Sequence, residues 1–472
     1  MPADQSVTKA FTRLHLAIFG AFFVFGYQQG AKQIHDNGTF THLRTGIDMA
    51  KTGAIPRTDP YTFTAHGHSW TVQSWLPEWT YGWAYRIGGY KVVIFEQAVL
   101  IGVLALLIGI LAKTDRPWRT LLAGATAIAI GVPFWEQRPL IVGLIAFALF
   151  VLIVERGWSP WWLLPVVWVW VNSHGSFPLA VVWLAVRGAG EAIDNRAWPA
   201  TTIRYGVAFL GGLVVSLANP LGYRLLAFPL TVATKRDAFK AVIEWNSPNF
   251  QQFPTVVTLI ALAIAFVIIA RRAPRWTDAL PAIAFVALAL YAERNVPVAA
   301  VVMAPVLGRA LRPRPGERVR QGDRDVQTIF TMALAIGLVV ALGLLSANIV
   351  RRKPLYLAKY PVAAVDFLTD EGLRSPSHRV ATSDRVGNYL EAKFGTDARA
   401  FIDDRYDMFP SSVVRDYRSL VEARANAFDV LDRRRVDVVL WDRHDALATL
   451  LRSSTRWQSV YQDNRWEVFQ RT

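Results

Sequence analysis

The chain reads as an all-α polytopic membrane protein of about eleven helices, with a small α/β domain at its C-terminal end. Three observations predict this class. The 472 residues are 53% hydrophobic, and the apolar residues come in runs instead of lining one face of amphipathic helices. A run such as Val93 to Ala112 is long enough to cross a ~30 Å hydrocarbon core, which takes about 20 helical residues. From about residue 358 the composition turns soluble and strand-like stretches alternate with helical ones, the pattern of an α/β domain.

The apolar runs lie at 11–29, 91–112, 119–134, 139–155, 160–171, 177–192, 204–218, 254–270, 278–292, 296–311 and 327–349. Lys9 and Arg13 precede the apolar core of the first run and no small-residue cleavage site follows it, so it is read as a retained span with a cytoplasmic N-terminus. Alternate loops and span ends then collect Lys113, Arg116, Arg119, Arg156, Arg187, Arg196, Arg204, Arg271, Arg272 and Arg275, and an Arg/Pro-rich stretch at 309–324. This is the bias of cytoplasmic loops. It accounts for the net charge of +15 without nucleic acid as a partner. An odd span count puts the tail outside. The domains read as 1–350, transmembrane, with an external loop at 30–90 carrying interfacial helices, and 351–472, an extracytoplasmic α/β domain. The location is the plasma membrane.

The opposite loops have another character: FWEQRP (134–139), VNSHGS (171–176), ANPLGYR (218–224), VIEWNSPNF (242–250) and AERNVP (292–297). Pro and Gly are ordinary punctuation at helix ends. Charged and amide groups at membrane depth are costly unless they pair or line a cavity, so a shared external cavity is expected. In the tail, HRVATS (378–383), ARAFIDDR (398–405) and VDVVLWDR (436–443) read as strands. VRDYRSLVEARANAFDVLDRR (414–434) reads as helix, and 457–471 as a hairpin about Asp463-Asn464.

Asp36 directly follows the first span, which places a reactive acid at the lipid surface. After it, Thr39 to Met49 can form an interfacial helix with Phe40, Leu43 and Ile47 on one face, while His42 and Arg44 point elsewhere. A turn-rich stretch leads to a second helix with Trp75, Trp79 and Trp83 four apart, the residue type that anchors at headgroup level. A carboxylate within about 3 Å of a hydroxyl can serve as a general base. The alternative role for Asp36 is an N-cap. Arg44, Arg138 and Arg294 could hold an anionic group through forked hydrogen bonds, with His42 and His174 as donors. The competing reading pairs Arg138 with Glu136 and Arg294 with Glu293. Glu78, Asn172, Asn219, Glu244 and Asn295 complete the polar set that would bind substrate, and at least three of Arg138, His174, Asn219, Glu244 and Arg294 are expected to share a cavity with Asp36. Asp59 and Glu78 are the next candidate bases.

The strings D-x-x-x-x-x-H-L-R-T-G (from Asp36), G-x-I-P-R-T-D-P-Y-T-F-T-x-x-G (from Gly53) and W-L-x-E (from Trp75) resemble the first external loop of bacterial membrane proteins related to the C-type (GT-C) glycosyltransferases. That group includes protein O-mannosyltransferases and the lipid A aminoarabinose transferase. W-x-N-x-H-G (170–175), N-P-x-G (219–222) and R-N-x-P (294–297) look like later marks of the same branch. The resemblance implies transfer of a sugar from a polyprenyl-phosphate carrier to the hydroxyl of an extracytoplasmic acceptor, with Asp36 as the base and Arg44, Arg138, Arg294, His42 and His174 as candidates to hold the leaving phosphate. The acidic doublet common in that group is absent, since Asn37 and Gly38 follow. Two other classes remain open: a non-catalytic component that binds glycan or lipid, and a transporter. With polar motifs gathered at one face instead of in two related halves, a transporter fits least.

No cofactor is expected. His66 and His68 beside Asp59 keep a divalent metal as the alternative, although a lone H-x-H in a loop is more often just a solvated pair and a metal needs at least three convergent ligands. Cysteine is absent, which removes disulfides and thiolate sites. No nucleotide-binding glycine loop, G-x-S-x-G elbow or H-E-x-x-H string occurs.

Overall fold

A computed structural model describes residues 13–235, 243–312 and 324–472, so the Arg/Pro-rich loop read at 309–324 lies largely outside the described residues. The helices of the apolar part are α1 (Arg13–Gly30), α2 (Asn37–Thr52), α3 (Trp75–Leu111), α4 (Pro117–Gly131), α5 (Leu140–Glu155), α6 (Leu163–Ser173), α7 (Leu179–Asn195), α8 (Ala200–Val215), α9 (Tyr223–Thr234), α10 (Phe253–Ala270), α11 (Trp276–Tyr291), α12 (Val296–Ala310) and α13 (Arg324–Arg351). The tail carries α14 (Val362–Asp370), β1 (Val380–Thr382), α15 (Asp384–Phe394), α16 (Ser411–Val421), α17 (Ala427–Arg433), β2 (Val438–Asp442), α18 (Ala446–Arg452), β3 (Trp457–Gln462) and β4 (Trp466–Arg471). Each of the eleven apolar runs contains a helix.

The chain divides into two compact units. One comprises Met1–Lys32, Lys91–Gly222 and Val242–Arg352, the other Gln33–Tyr90, Tyr223–Ala241 and Lys353–Thr472. In the first, Trp75–Leu111 (shared with the second unit), Phe253–Ala270 and Thr331–Arg351 are long and apolar enough to cross a membrane, whereas Leu140–Glu155, Ala200–Val215 and Trp276–Tyr291 are apolar but shorter. At 1.5 Å per residue, the 11 residues of α6 rise only about 16 Å. The eleven helices therefore differ in reach. Helix α12 is buried without a break from Val296 to Gly308, as an all-round apolar helix must be, and packs on α4, α5 and α11. Beside it Phe147 and Phe150 gather Trp170, Trp183, Phe209 and Phe285 at ring-centroid distances of 5.5–6.2 Å, contacts that add to simple area burial.

Helix α3 is kinked where the chain passes from one unit to the other. Gly88 and Gly89 leave helical geometry there, with φ +65° at Gly89, a conformation that glycine adopts without steric cost.

In the second unit the sheet order is β1-β2-β4-β3. β1 is parallel to β2 (Val380 opposite Val438), and β2–β4 and β4–β3 are antiparallel. The hairpin turns at Asp463-Asn464, as its alternation predicts. Two readings of the tail need correction. Residues 398–405 form no strand. Their backbone binds the first loop instead: Ala400 donates to the Tyr61 carbonyl at 3.0 Å and accepts from Phe63 at 3.0 Å. The stretch 414–434 is two helices, because Ala423 takes a positive φ of 44° that ends α16.

Loop and tail are thus one fold. Helix α2 packs on α15, and its apolar face, read as lying on lipid, is covered by tail aromatics. Phe40 is 1% exposed, with Tyr360 and Tyr389 at 5.3 and 6.4 Å. The tryptophan stripe differs, since Trp79 and Trp83 stay exposed as an interfacial anchor requires. Helix α2 also crosses the start of α3 backbone to backbone. A Cβ at Gly46 would fall 1.9 Å from the Glu78 carbonyl oxygen, and one at Gly82 1.9 Å from that of Gly46. Neither neighbour is a movable side chain, so Gly82→Ala should cost at least the ~1–3 kcal/mol of overpacking. A lowered unfolding midpoint of the purified full chain checks this, with Gly211→Ala, which lies inside α8 and meets nothing within 4 Å, expected not to lower it, since alanine favours a helix interior over glycine.

Candidate active site

Asp36 is the N-cap of α2. Its φ/ψ of −76°/133° is the extended geometry of that position, and one carboxylate oxygen accepts both the N–H and the hydroxyl of Thr39 at 3.0 Å. The side chain is 7% exposed. Such a cap satisfies one of the orphan N–H groups of the first turn, worth ~1 kcal/mol. The buried Asn388 of α15 fixes the same spot: its amide donates to the Asn37 carbonyl at 3.1 Å and its oxygen accepts from the Asp404 N–H at 3.1 Å. Sequence reasoning missed Asn388. A polar residue among Val386, Tyr389 and Leu390 on the buried side of a helix was the available signal.

His42 and Glu78 are brought together, Nδ1 to Oε1 at 2.6 Å. Arg44 pairs with Asp48, which also accepts from the Tyr61 hydroxyl at 2.7 Å. Burial alone would lower the Arg44 pKa, but the hydrogen bond and charge of Asp48 raise it. Burial, then Asp48, pushes the Tyr61 phenol well above its ordinary range. The Arg44 guanidinium also lies against Gly395, where a Cβ would meet it at 2.8 Å. Arg44 therefore ties the loop to the tail.

Asp59 is committed to structure. It accepts the Tyr61 and Thr62 N–H groups at 3.1 Å and a hydrogen bond from Arg405 at 2.8 Å. Arg405 in turn holds Asp403 at 2.5 Å and stacks over Trp70 and Tyr61 at 4.4 and 5.0 Å. Arg405 thus pairs both with a residue two positions away and with one 346 positions away. Glu391 is fully buried 3.6 Å from Arg405, and among the described residues no hydrogen-bond donor reaches either of its oxygens. Burial, and next the charge of Asp403, push its carboxyl well above the ordinary 4.5. The sign follows: a raised carboxyl gives stability that is complete below pH 4.5 and is lost as pH rises through the folded value. Wild-type unfolding free energy should decline over that interval, and Glu391→Gln, neutral throughout, should flatten the decline.

In the first unit, Arg138 bridges Glu136 at 3.1 Å and Glu244 at 2.7 Å. Arg294 lies over the Trp245 ring at 4.1 Å and, among the described residues, makes no ion pair with Glu293. The short 3₁₀ turn Glu293–Asn295 separates those neighbours and turns the guanidinium onto the indole. Burial lowers the Arg294 pKa, with Glu244 opposing and Arg138 adding. Burial raises Glu293, and Glu244 raises it further. These loops thus form one charge cluster. Its acids already neutralise Arg138, so a phosphate there would have to exchange for a carboxylate.

The remaining residues are turn builders. Asn219 closes its own turn, donating to Ser216 and Gly222 carbonyls at 2.6 and 3.0 Å and accepting from Leu221 at 2.7 Å. Asn172 donates to the Trp168 carbonyl at 2.7 Å, and Asn295 to that of Leu288 at 3.0 Å. His174 ends α6 with its N–H on the Trp170 carbonyl at 2.9 Å, and its Cβ would sit 2.9 Å from one added at Gly143.

No family model matches the chain, and no curated protein does. Among solved structures, the crystal structure of ArnT from Cupriavidus metallidurans in the apo state is similar over 96% of this chain and 97% of that chain, at 15% identity and a TM-score of 0.49.

Proposed function

We propose that the chain is a membrane glycosyltransferase that moves a sugar from a polyprenyl-phosphate carrier to an extracytoplasmic acceptor of the cell envelope, whether glycan, lipid or protein. The observation that carries this reading is Asp36, an acid held nearly buried at the head of the helix that follows the first span. That is the position at which the first-loop strings resemble the GT-C pattern. In the proposed step the acceptor hydroxyl oxygen bonds to the anomeric carbon while its proton passes to Asp36. The bond from that carbon to the phosphate oxygen breaks, and polyprenyl phosphate leaves. His42, held by Glu78, is proposed as a donor to the developing phosphate charge, which hydrogen-bond donors placed in advance stabilise.

The N-cap geometry favours a second reading, in which Asp36 only starts α2 and the protein binds glycan or lipid without turnover. Analysis of lipid-linked products separates the two. Cells lacking the protein should accumulate a glycosylated polyprenyl phosphate and lose one envelope sugar, and a wild-type copy should reverse both. An unchanged lipid-linked pool would remove the transferase reading.

A further inference from the structure

The end of the first unit opposite the charge cluster of Arg138 holds a second group of charges that the transfer reading does not use. There the ends of α5, α7, α11 and α12 meet in a set of ion pairs, with the end of α10 beside them. Glu155 takes Arg187 at 3.7 Å and also Arg309. Asp278 takes Arg309 at 2.5 Å, and Asp194 takes Arg275 at 3.4 Å. Helix C-termini favour cations through their dipoles, which explains why basic residues gather here. It does not explain their excess. A recess of about 260 Å³ is lined by Arg272, Arg275, Arg309 and Arg312 against a single acid, Asp278; the rest of its lining is apolar. Asp278 is already shared with Arg309. Among the described residues, Arg272 and Arg312 have no carboxylate within 4.0 Å.

We propose that this recess holds the phosphate of an anionic phospholipid from the adjacent leaflet. Three observations support that occupant. Arginine forks match phosphate oxygens, and Arg272 and Arg312, which no carboxylate holds among the described residues, line one recess beside the acid-paired Arg275 and Arg309. The volume lies below the ~300–1,000 Å³ of pockets that enclose whole small molecules, so it suits a headgroup phosphate and excludes a nucleotide sugar. Ile269 lines the recess from α10, and one turn earlier Phe266 is 73% exposed. Ile260, Ile264 and Val267 continue an exposed apolar face along that helix, where acyl chains can lie once the phosphate is seated. Like charges also crowd the site. Burial, and then Arg309, lowers the Arg312 pKa; burial, and then Arg312, lowers that of Arg156. A seated anion relieves this repulsion.

The test uses the purified full chain in neutral detergent, with lipid retention read by native mass spectrometry. Phosphatidylglycerol should be retained in clear preference to phosphatidylcholine. A basic residue near an anionic surface is worth about five-fold in affinity, so R272Q/R312Q should bind phosphatidylglycerol ~25-fold more weakly. Inorganic phosphate at equal concentration should not displace the lipid. No preference for phosphatidylglycerol in the wild type, which needs no variant to observe, overturns the proposal. So does an R272Q/R312Q chain that keeps wild-type retention. Displacement by inorganic phosphate alone would make the occupant a free anion and overturn the lipid assignment.

Discussion

Asp36→Asn should lower sugar transfer by about 10²–10⁴-fold, the usual worth of a general base, while the protein inserts and folds as before. Asparagine caps a helix nearly as well as aspartate and keeps an oxygen for the two Thr39 hydrogen bonds at 3.0 Å. It loses the negative charge and nearly all basicity. Asp36→Ala loses both roles, and should add about 1 kcal/mol of destabilisation to the same loss of transfer. The comparison isolates chemistry from capping. Transfer by the Asn variant at the wild-type rate would leave Asp36 a helix cap. The search for a base would then turn to Glu78, whose carboxylate already holds His42, because Asp59 is enclosed by backbone N–H groups and Arg405.

Replacing Arg405 with methionine should destabilise the second unit by ~3–5 kcal/mol, the cost of removing one partner from a buried ionic group. Methionine retains much of the length and apolar bulk against Trp70 and Tyr61. It leaves Asp59 and Asp403, both at most 1% exposed, facing each other and Glu391 without the guanidinium. The variant should regain stability as pH falls, because protonation removes the unpaired charges. Thermal unfolding of the full chain at several pH values reads both effects. An R405M chain as stable as the wild type at neutral pH would mean that the hydrogen bonds around Ala400 join loop and tail by themselves.

Legibility from sequence followed sequence distance. The apolar runs were readable because burial leaves a local signature, and each contains a helix. Asp36 was readable as a cap because its partner Thr39 lies three residues away, and the Arg138–Glu136 pair because the two lie only two positions apart. Residue type did not reveal that Asn219 spends all its hydrogen bonds on its own turn, although N-P-x-G is turn chemistry. The stretch 398–405 has strand composition because Ala398, Ala400, Phe401 and Ile402 are all buried. Composition does not say whether the neighbouring backbone belongs to a sheet or to a loop. Least legible was the contact of Arg405 with Asp59, 346 residues apart, since no local pattern encodes such a partner.

That separation has a consequence for biosynthesis. Ribosomes add about 5–20 residues per second, so the first loop is made roughly 20–70 s before the tail segment that completes it. During that interval Asp59, Tyr61 and Trp70 wait without Arg405, and the inner face of α2 without Tyr360 and Tyr389. A nascent chain arrested before Lys353 would carry its membrane helices and an uncovered loop, a distinct substrate for chaperones and proteases on the side of the membrane where that loop emerges.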